Sequence, residues 1–291
     1  MRQIRTPEEM AACAAEVKRS GRTIGFVPTM GALHEGHLTL VRQARMCADF
    51  VVVSIFVNPA QFGPNEDFAS YPRDIEGDLR LLNSERVDAV FFPTEREMYP
   101  EGYRTWVDVG GLSEKLEGRF RPGHFRGVCT IVLKLFCLVL PDAAFFGWKD
   151  AQQFIIIRRM ATDLNLPVRI VGVPTWREPD GLAGSSRNRR LSDEHRRHAL
   201  CLSRALHFIR EKVSQGETDT ESLLARARRI IAEEPGVVLQ YLDIVDIEQL
   251  DPVARVVPGT MAAGAILVGG VRLIDNVVFP ADEPTAGRKE G

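Results

Sequence analysis

A nearly continuous apolar run, Phe50–Val57, most strongly limits what this chain can fold into. A strand with one wet face alternates apolar and polar residues, whereas a strand covered on both faces of a parallel sheet is apolar throughout. The run therefore predicts a central strand of a parallel sheet. Parallel neighbours must then be reached through crossover connections, which are usually helices.

The segments around this run alternate as such a sheet requires. Further strands are predicted at Thr23–Val27, Ala89–Phe92, Ala143–Phe146 and Val168–Val173. Helical patterns lie between them, at His37–Cys47, Pro72–Ser84, Val128–Leu140 and Ala151–Leu164. Strands that alternate with helices of roughly 10–15 residues are typical of βαβ units. We therefore predict an α/β fold with a doubly wound, Rossmann-like parallel sheet.

The pattern changes after Pro174, and a length of 291 residues leaves room for a second domain. Two helices are predicted there, one with its N-cap at Ser192 that runs to about Lys212 and one over Thr218–Glu233. Two strands follow, at Gln240–Ile247 and Ala263–Val268. These elements predict a second, smaller α+β domain. The predicted boundaries are 1–175 for the first domain, 176–281 for a smaller C-terminal lid domain and 282–291 for a polar tail.

Composition excludes several classes of function. The net charge of −2 argues against a general nucleic-acid binder, which needs a basic surface. The five cysteines are far apart and form no C-x-x-C motif, so a reducing cytoplasm is expected. The most apolar stretch, Val128–Leu140, is 13 residues long, whereas a membrane span needs about 20. The N-terminus lacks the apolar stretch of a secretory signal peptide, so we do not expect export. We expect a cytoplasmic protein with no nucleic-acid or membrane partner.

The loop after the first predicted strand carries the strongest candidate site. Ligands of open α/β sheets bind outside the carboxyl ends of the strands, and a helix N-terminus attracts anions. Gly31 and Gly36 permit close backbone approach, and His34 and His37 stand three residues apart at the helix start. A zinc protease would need H-E-x-x-H, and no P-loop G-K-[ST] occurs. Two interpretations stay open: helix-capping or surface histidines, or donors to phosphate oxygens.

Two further segments offer amides and basic groups. Asn58 and Gln61 follow the second strand, at the sheet edge that also carries the histidines. A neutral amide can bind a hydroxyl or a carboxylate without holding the carboxylate too tightly to react, although a loop-stabilising hydrogen bond is an equal alternative. Arg119–Gly127 is a basic loop that opens an apolar helix, and a solvated loop is the simplest interpretation of it.

The segment after the fourth predicted strand has the residue types of a nucleotide site. Gly147 permits backbone contact, Lys149 is a point charge for phosphate, and Asp150 can accept from ribose hydroxyls. Gln153 lies one turn into the next helix, where its amide can face the same cleft as Gln61. A Lys–Asp pair is more often a surface salt bridge, and that alternative stays open.

The predicted domain junction carries Ser185, Ser186 and Arg187, which suit a segment that closes over a triphosphate. Gly184 precedes them and predicts a more flexible loop. The arginines that follow, such as Arg196 and Arg204, are interpreted as a solvated helix face.

These segments together resemble a known family. Pro28-Thr-Met-Gly-Ala-Leu-His-Glu-Gly-His37 resembles the HIGH signature of nucleotidyltransferases and, more narrowly, that of the pantothenate synthetase (pantoate–β-alanine ligase) family. Arg121-Pro-Gly-His-Phe-Arg-Gly127, Gly147-Trp-Lys-Asp-Ala-Gln-Gln153 and Ser185-Ser-Arg-Asn188 match its other motifs in order. Three residues depart from the family pattern: Trp148 replaces an acidic residue, Trp176 a small aliphatic one, and Gly184 a methionine.

The resemblance implies an ATP-dependent condensation of pantoate with β-alanine through pantoyl adenylate, which releases AMP and pyrophosphate. It implies Mg²⁺ held mainly by the ATP phosphates, no metal site on the protein, and a homodimer. The implied catalytic residues are His34, His37, Lys149 and Arg187. The implied ATP-binding residues are Met30, Gly31, His34, His37, Gly147, Trp148, Lys149, Asp150, Trp176, Gly184, Ser185, Ser186 and Arg187. Gln61 and Gln153 are implied to bind pantoate and β-alanine, and the Arg119–Gly127 stretch is implied to have a structural or site-wall role.

Two other functional classes stay open at this point. A different nucleotidyltransferase would leave the nucleotide joined to its product and would not depend on β-alanine. A non-catalytic nucleotide-binding protein is the second, in which Trp148, Trp176 and Gly184 would mark a decayed site.

Overall fold

The computed structural model describes residues 1–64 and 66–279. These residues form two compact units, one of residues 1–147 and 152–173, the other of residues 148–151 and 174–279. The short segment 148–151 groups with the second unit, which the sequence did not indicate. The polar tail predicted over 282–291 lies outside the described residues, and the role of a lid stays a prediction.

The first unit is built on a six-stranded parallel sheet with the order β1-β4-β3-β2-β5-β6. The strands are β1 Arg2–Ile4, β2 Ile24–Thr29, β3 Phe50–Ile55, β4 Ala89–Phe91, β5 Ala143–Gly147 and β6 Arg169–Val173. The helices are α1 Pro7–Arg19, α2 Glu35–Cys47, α3 Ile75–Ser84, α4 Glu95–Met98, α5 Glu117–Phe120, α6 His124–Val139 and α7 Ala151–Asp163. The predicted α/β fold class is confirmed.

The strand order places a switch point beside β2. From β2 the chain adds β3 and then β4 on one side, whereas β5 and β6 lie on the other. The carboxyl ends of β2 and β5 therefore flank the crevice in which ligands of doubly wound sheets bind. Every residue of β3 is buried, as its apolar run predicted. The edge strand β1 was not predicted, because three residues are too few to give a periodic signal. The helix α1 was missed although Thr6 and Glu9 form a capping box at its start.

The second unit contains two helices and an antiparallel sheet of order β7-β8-β9. Its elements are α8 Asp193–Ser214, α9 Thr220–Ala232, β7 Val237–Asp246, β8 Thr260–Val268 and β9 Val271–Phe279. Ser192 caps α8 as predicted, since its hydroxyl accepts from the His195 N–H at 3.2 Å. Strand β9 was missed, although Gly269 and Gly270, both at positive φ, are a hairpin signal.

The cores of the two units have different origins. In the first, apolar side chains of β2, β3 and β5, such as Val53 and Phe145, are fully buried beneath the helices. In the second, Leu202 and Leu206 of α8 share a buried cluster with Ile266 of β8. Among the helices of residues 1–64 and 66–279, none combines the length and the apolar character that a membrane-spanning helix needs.

Candidate active site

The loop after β2 is held by a buried carboxylate. Asp78 of α3 is 3% exposed, and its Oδ2 and Oδ1 accept from the backbone N–H groups of Ala32 at 2.8 Å and Leu33 at 2.7 Å. Gly31 and Ala32 both have positive φ, and a Cβ on Gly31 would lie 2.9 Å from Asp78 Oδ2. Gly31 is therefore required by the fold of the loop, whatever its predicted contact with ATP.

The two histidines cap the helix that follows this loop. His34 is the N-cap of α2, and its Nδ1 accepts from the Gly36 N–H at 3.1 Å. The His34 N–H in turn lies 3.3 Å from His37 Nδ1, and the two ring centroids are 4.2 Å apart. The capping that the sequence left open is thus real, and it is made through Nδ1 of both rings.

This capping decides which tautomer each ring adopts. A neutral imidazole whose Nδ1 accepts a hydrogen bond carries its proton on Nε2. His34 and His37 are therefore both Nε2–H donors at the positive end of a helix, where an anion is favoured. Capping and phosphate donation use different nitrogens, so the two interpretations are compatible.

Gln61 is positioned by a buried amide. It ends the short 3-10 helix Pro59–Gln61, and its Oε1 accepts from Asn58 Nδ2 at 3.1 Å. Its Nε2 lies 3.0 Å from Met30 Sδ, which brings together two residues that the sequence predicted for the site. The Tyr99 hydroxyl donates to Asn58 Oδ1 at 2.8 Å and fixes the orientation of that amide.

The first residue of α6 and the turn before it hold the backbone of Gln61, in line with the structural role that the resemblance implied for this basic segment. His124 is buried, and its Nδ1 lies 2.8 Å from the Gln61 carbonyl oxygen. Arg121 Nη1 lies 3.0 Å from His124 Nε2, and Arg121 is ion-paired with Glu66 at 2.5 Å. Arginine can only donate, so His124 Nε2 accepts and Nδ1 carries the proton that is donated to Gln61. Burial, reinforced by Arg121, lowers the pKa of His124 to about 4.

This buried histidine makes stability depend on pH. An unfolded histidine has a pKa of about 6.5, so between pH 6.5 and 4 the unfolded chain binds more protons than the folded one. The free energy of unfolding should therefore fall by roughly 3 kcal/mol as the pH drops through this range. The free energy of unfolding, measured with urea at about pH 7 and pH 4, should fall clearly less in His124→Asn than in the unchanged protein. Asparagine is chosen because it keeps a donor near the Nδ1 position. His207 is exposed, so His207→Asn should behave like the unchanged protein. An equal fall in the free energy of unfolding in the unchanged protein and in both variants would contradict the role of His124.

The two glutamines at the start of α7 have different environments. Gln152 is buried: its Oε1 accepts from Glu117 N–H at 2.9 Å, and its Nε2 donates to the carbonyls of Leu112 at 2.9 Å and Lys115 at 2.8 Å. Gln153 is half-buried in the first turn of α7. Because Gln152 is consumed by structural hydrogen bonds, Gln153 is the better candidate for substrate, and this assignment stays a prediction.

In the second unit, the turn that carries Lys149 is fixed by β9. Asn276 is buried, and its Nδ2 donates to the carbonyls of Trp148 at 2.8 Å and Lys149 at 3.0 Å. Lys149 Nζ lies 3.2 Å from Asp150 Oδ1, so the ion pair considered from the sequence is present. The pair is partly exposed, and a pair of this kind contributes little to stability and leaves the ammonium able to bind phosphate.

The serine-rich segment of the second unit is also anchored. Ser185 is the N-cap of the 3-10 helix Ser186–Arg190, since its hydroxyl accepts from the Arg187 N–H at 3.3 Å. Asn188, buried, donates to Glu178 Oε1 at 2.7 Å and to the Ala183 carbonyl at 3.0 Å.

Two arginines of the predicted solvated helix face form ion pairs. Arg196 lies 2.7 Å from both Glu178 and Asp180, and Arg204 is paired with Glu234. Arg204 is exposed, as the solvated-face interpretation expects, whereas Arg196 is half-buried. They tether α8 to acidic neighbours that are distant in sequence.

Comparison with known proteins decides which family these motifs represent. A family model described as pantoate-beta-alanine ligase matches residues 2–278. The chain belongs to the pantoate–β-alanine ligase family. The family assignment made from four short motifs is thereby confirmed, and with it the prediction of an enzyme.

Individual members of the pantoate–β-alanine ligase family align over nearly the whole chain. The pantothenate synthetase of Heliobacterium modesticaldum is 57% identical over 282 residues, or 96% of this chain and 99% of that protein. A crystal structure of pantothenate synthetase from Thermus thermophilus has a TM-score of 0.91 at 47% identity, covering 96% of this chain and 100% of that one. A Francisella tularensis pantoate-beta-alanine ligase, complexed with beta-gamma ATP and beta-alanine, has a TM-score of 0.78 at 33% identity, with coverages of 96% and 97%.

Several residues of this family member that matter for the site gave no signal in the sequence. Asp78 and Tyr99 lie on elements other than the loops they hold, and Asp275 and Asn276 lie on the unpredicted strand β9. These four residues are distant in sequence from the motif residues they contact, and only the folded chain brings them together. Within the described ranges, no group of three or more His, Cys, Asp or Glu side chains could hold a metal ion.

Proposed function

We propose that this chain condenses pantoate with β-alanine to pantothenate, using MgATP and releasing AMP and pyrophosphate. The observation that carries the proposal is the histidine pair, whose capped Nδ1 atoms make both rings Nε2–H donors at the start of α2. Membership of the pantoate–β-alanine ligase family, and the ligands named for the Francisella tularensis relative, support the choice of substrates.

In the first half-reaction, a carboxylate oxygen of pantoate bonds to the α-phosphorus of ATP, and the bond from that phosphorus to the pyrophosphate oxygen breaks. Negative charge on the phosphate oxygens is met by the Nε2–H groups of His34 and His37 and by Lys149 and Arg187. Donors placed where charge develops typically contribute about 10²–10³ in rate each. Ser185 and Ser186 donate to the same triphosphate.

The remaining residues bind and orient the substrates. Gln61 and Gln153 hold pantoate in line for attack, an effect of orientation. The nucleotide is bound by a further set: Met30, Gly31, Gly147, Trp148, Asp150, Trp176 and Gly184. Mg²⁺ enters as part of the substrate MgATP, held by the phosphates.

In the second half-reaction, the amine of β-alanine attacks the acyl carbon of pantoyl adenylate. The carbon–oxygen bond to AMP breaks, the amine nitrogen loses a proton, and the amide of pantothenate remains. A covalent bond to the enzyme is not required. Cys129 and Cys201 are buried, and burial raises the pKa of the Cys129 thiol to about 12 and that of Cys201 to about 11, so neither is a nucleophile.

The proposal is tested by following all products at once. With ATP, pantoate and β-alanine, we expect AMP and pyrophosphate in equal amounts, and sustained release that depends on β-alanine. Removal of Mg²⁺ with EDTA should stop it. A product that keeps the nucleotide would indicate a different nucleotidyltransferase, and ATP binding without turnover would indicate a non-catalytic protein.

The location and the oligomeric state of the enzyme are part of the same proposal. We place it in the cytoplasm as a homodimer, since Cys13, Cys47, Cys129, Cys137 and Cys201 are all free thiols and the family is typically dimeric. Light scattering after size exclusion should give twice the chain mass of 32.5 kDa, and a mass of one chain would contradict the dimer.

A further inference from the structure

Two of the three residues that depart from the family motifs face each other across a short hairpin of the second unit. Arg177 and Ala183 form an antiparallel bridge, and Glu178 N–H donates to the Leu182 carbonyl at 2.9 Å. In the same register, Gly184 N–H donates to the Trp176 carbonyl at 2.9 Å. Trp176 and Gly184 therefore form the opposed pair at the open end of the hairpin.

The indole of Trp176 occupies the space that a side chain at position 184 would need. Gly184 is buried and is not among the residues with positive φ, so its backbone does not require glycine. A Cβ at this position would lie 2.4 Å from Cε3 and 2.9 Å from Cζ3 of Trp176. The glycine is explained by the size of its partner, and the more flexible loop expected from the sequence is not needed to explain it.

The paired position leads directly into the proposed phosphate-binding segment. Ser185 follows Gly184 and caps the turn that carries Arg187. The hairpin itself is fixed from β9, because Asp275 is buried and accepts two hydrogen bonds from Arg177, at 2.7 and 2.9 Å. A displacement of position 184 against this fixed hairpin would therefore be passed along the backbone to residues 185–187.

We propose that Trp176 is a positioning residue for the Ser185–Arg187 segment, and that it acts through Gly184 as a size-complementary pair. The proposal rests on the function proposed above for that segment, triphosphate binding. Positioning of this segment is a separate role for Trp176 from the contact with the nucleotide proposed above. Bulk at position 176 and the absence of bulk at position 184 are then one feature of this chain.

The test is a double-mutant cycle with Gly184→Ala, Trp176→Val and the double variant. The added methyl group forces a shift of about 1 Å, and a misplacement of this size can lower the rate about 10²-fold. We expect Gly184→Ala to lower kcat/KM for ATP roughly 10–10²-fold, measured as pantoate-dependent pyrophosphate release. Trp176→Val removes the obstruction, so the double variant should recover to within about threefold of Trp176→Val alone.

A matched glycine and a second substrate separate positioning from general damage. Gly110 has open space at its Cβ and no positive φ, so Gly110→Ala should leave all constants unchanged. In Gly184→Ala, the KM for pantoate and the reaction of preformed pantoyl adenylate with β-alanine should stay near their original values. Thermal unfolding of each variant reports whether the hairpin remains folded.

The outcomes are distinct. A Gly184→Ala enzyme with unchanged kcat/KM for ATP overturns the proposal, as does a double variant that shows the additive loss of the two single changes. A parallel loss in the second half-reaction also overturns it, because that result indicates general damage. Failure of the unchanged protein to form AMP would instead contradict the function proposed for the chain.

Discussion

Replacing His37 by alanine should lower the rate of pyrophosphate release by about 10²–10³, the usual cost of losing one donor to a transition state. His37 Nδ1 lies 3.3 Å from the His34 N–H, and this contact leaves the proton on Nε2. Loss of the ring removes both the cap and the donor. Single-turnover formation of pantoyl adenylate measures the first half-reaction directly.

Two matched variants separate the two nitrogens of His37. Asparagine can place an acceptor near the Nδ1 position but has no group at the Nε2 position, whereas glutamine can place an N–H near Nε2. We expect His37→Asn to keep the melting temperature and lose the rate, and His37→Gln to recover part of the rate. A near-normal rate in His37→Asn would contradict the role of Nε2.

Replacing Gln61 by glutamate should sharply reduce the use of pantoate. Gln61 is 7% exposed, and a carboxylate there would face the carboxylate of pantoate with little water to screen the repulsion. We expect kcat/KM for pantoate to fall by more than about 10²-fold, since unfavourable buried charge costs several kcal/mol. Steady-state kinetics with pantoate as the varied substrate measure this loss.

The alanine variant serves as the comparison. Gln61→Ala removes a hydrogen bond to a charged group, worth about 1.5–3 kcal/mol, and should therefore be less severe than glutamate. Its KM for ATP should change little, because the amide is assigned to pantoate. If glutamate were tolerated as well as alanine, Gln61 would not contact the carboxylate.

The sequence was sufficient for the framework of the fold and for the motif residues because both depend on local patterns. The buried run of β3 and the alternation around it predicted the parallel sheet, and the histidines were found by their spacing. What holds the motifs in place could not be predicted. Asp78 reaches the backbone of Ala32 across 46 positions, and Asn276 reaches Trp148 across 128.

Conformational effects of single residues were predicted least well. Gly184 was interpreted through its backbone freedom, whereas the structure shows an ordinary backbone and a neighbouring indole. The family resemblance implied a structural or site-wall role for Arg119–Gly127, but not that Arg121 and His124 contact the Gln61 carbonyl. The contact with Gln61 exists only in the tertiary fold. The contact between Gly184 and Trp176 depends on the orientation of the indole, which the sequence does not specify.

If pantoate is activated as an acyl adenylate, one of its carboxylate oxygen atoms must pass to AMP. When pantoate labelled with ¹⁸O in its carboxylate is converted with ATP and β-alanine, the attacking oxygen stays on the α-phosphorus after the amide forms. Mass spectrometry should therefore find one ¹⁸O in the AMP and none in the pyrophosphate. Unlabelled AMP, or label in inorganic phosphate together with ADP, would exclude activation of pantoate as an acyl adenylate.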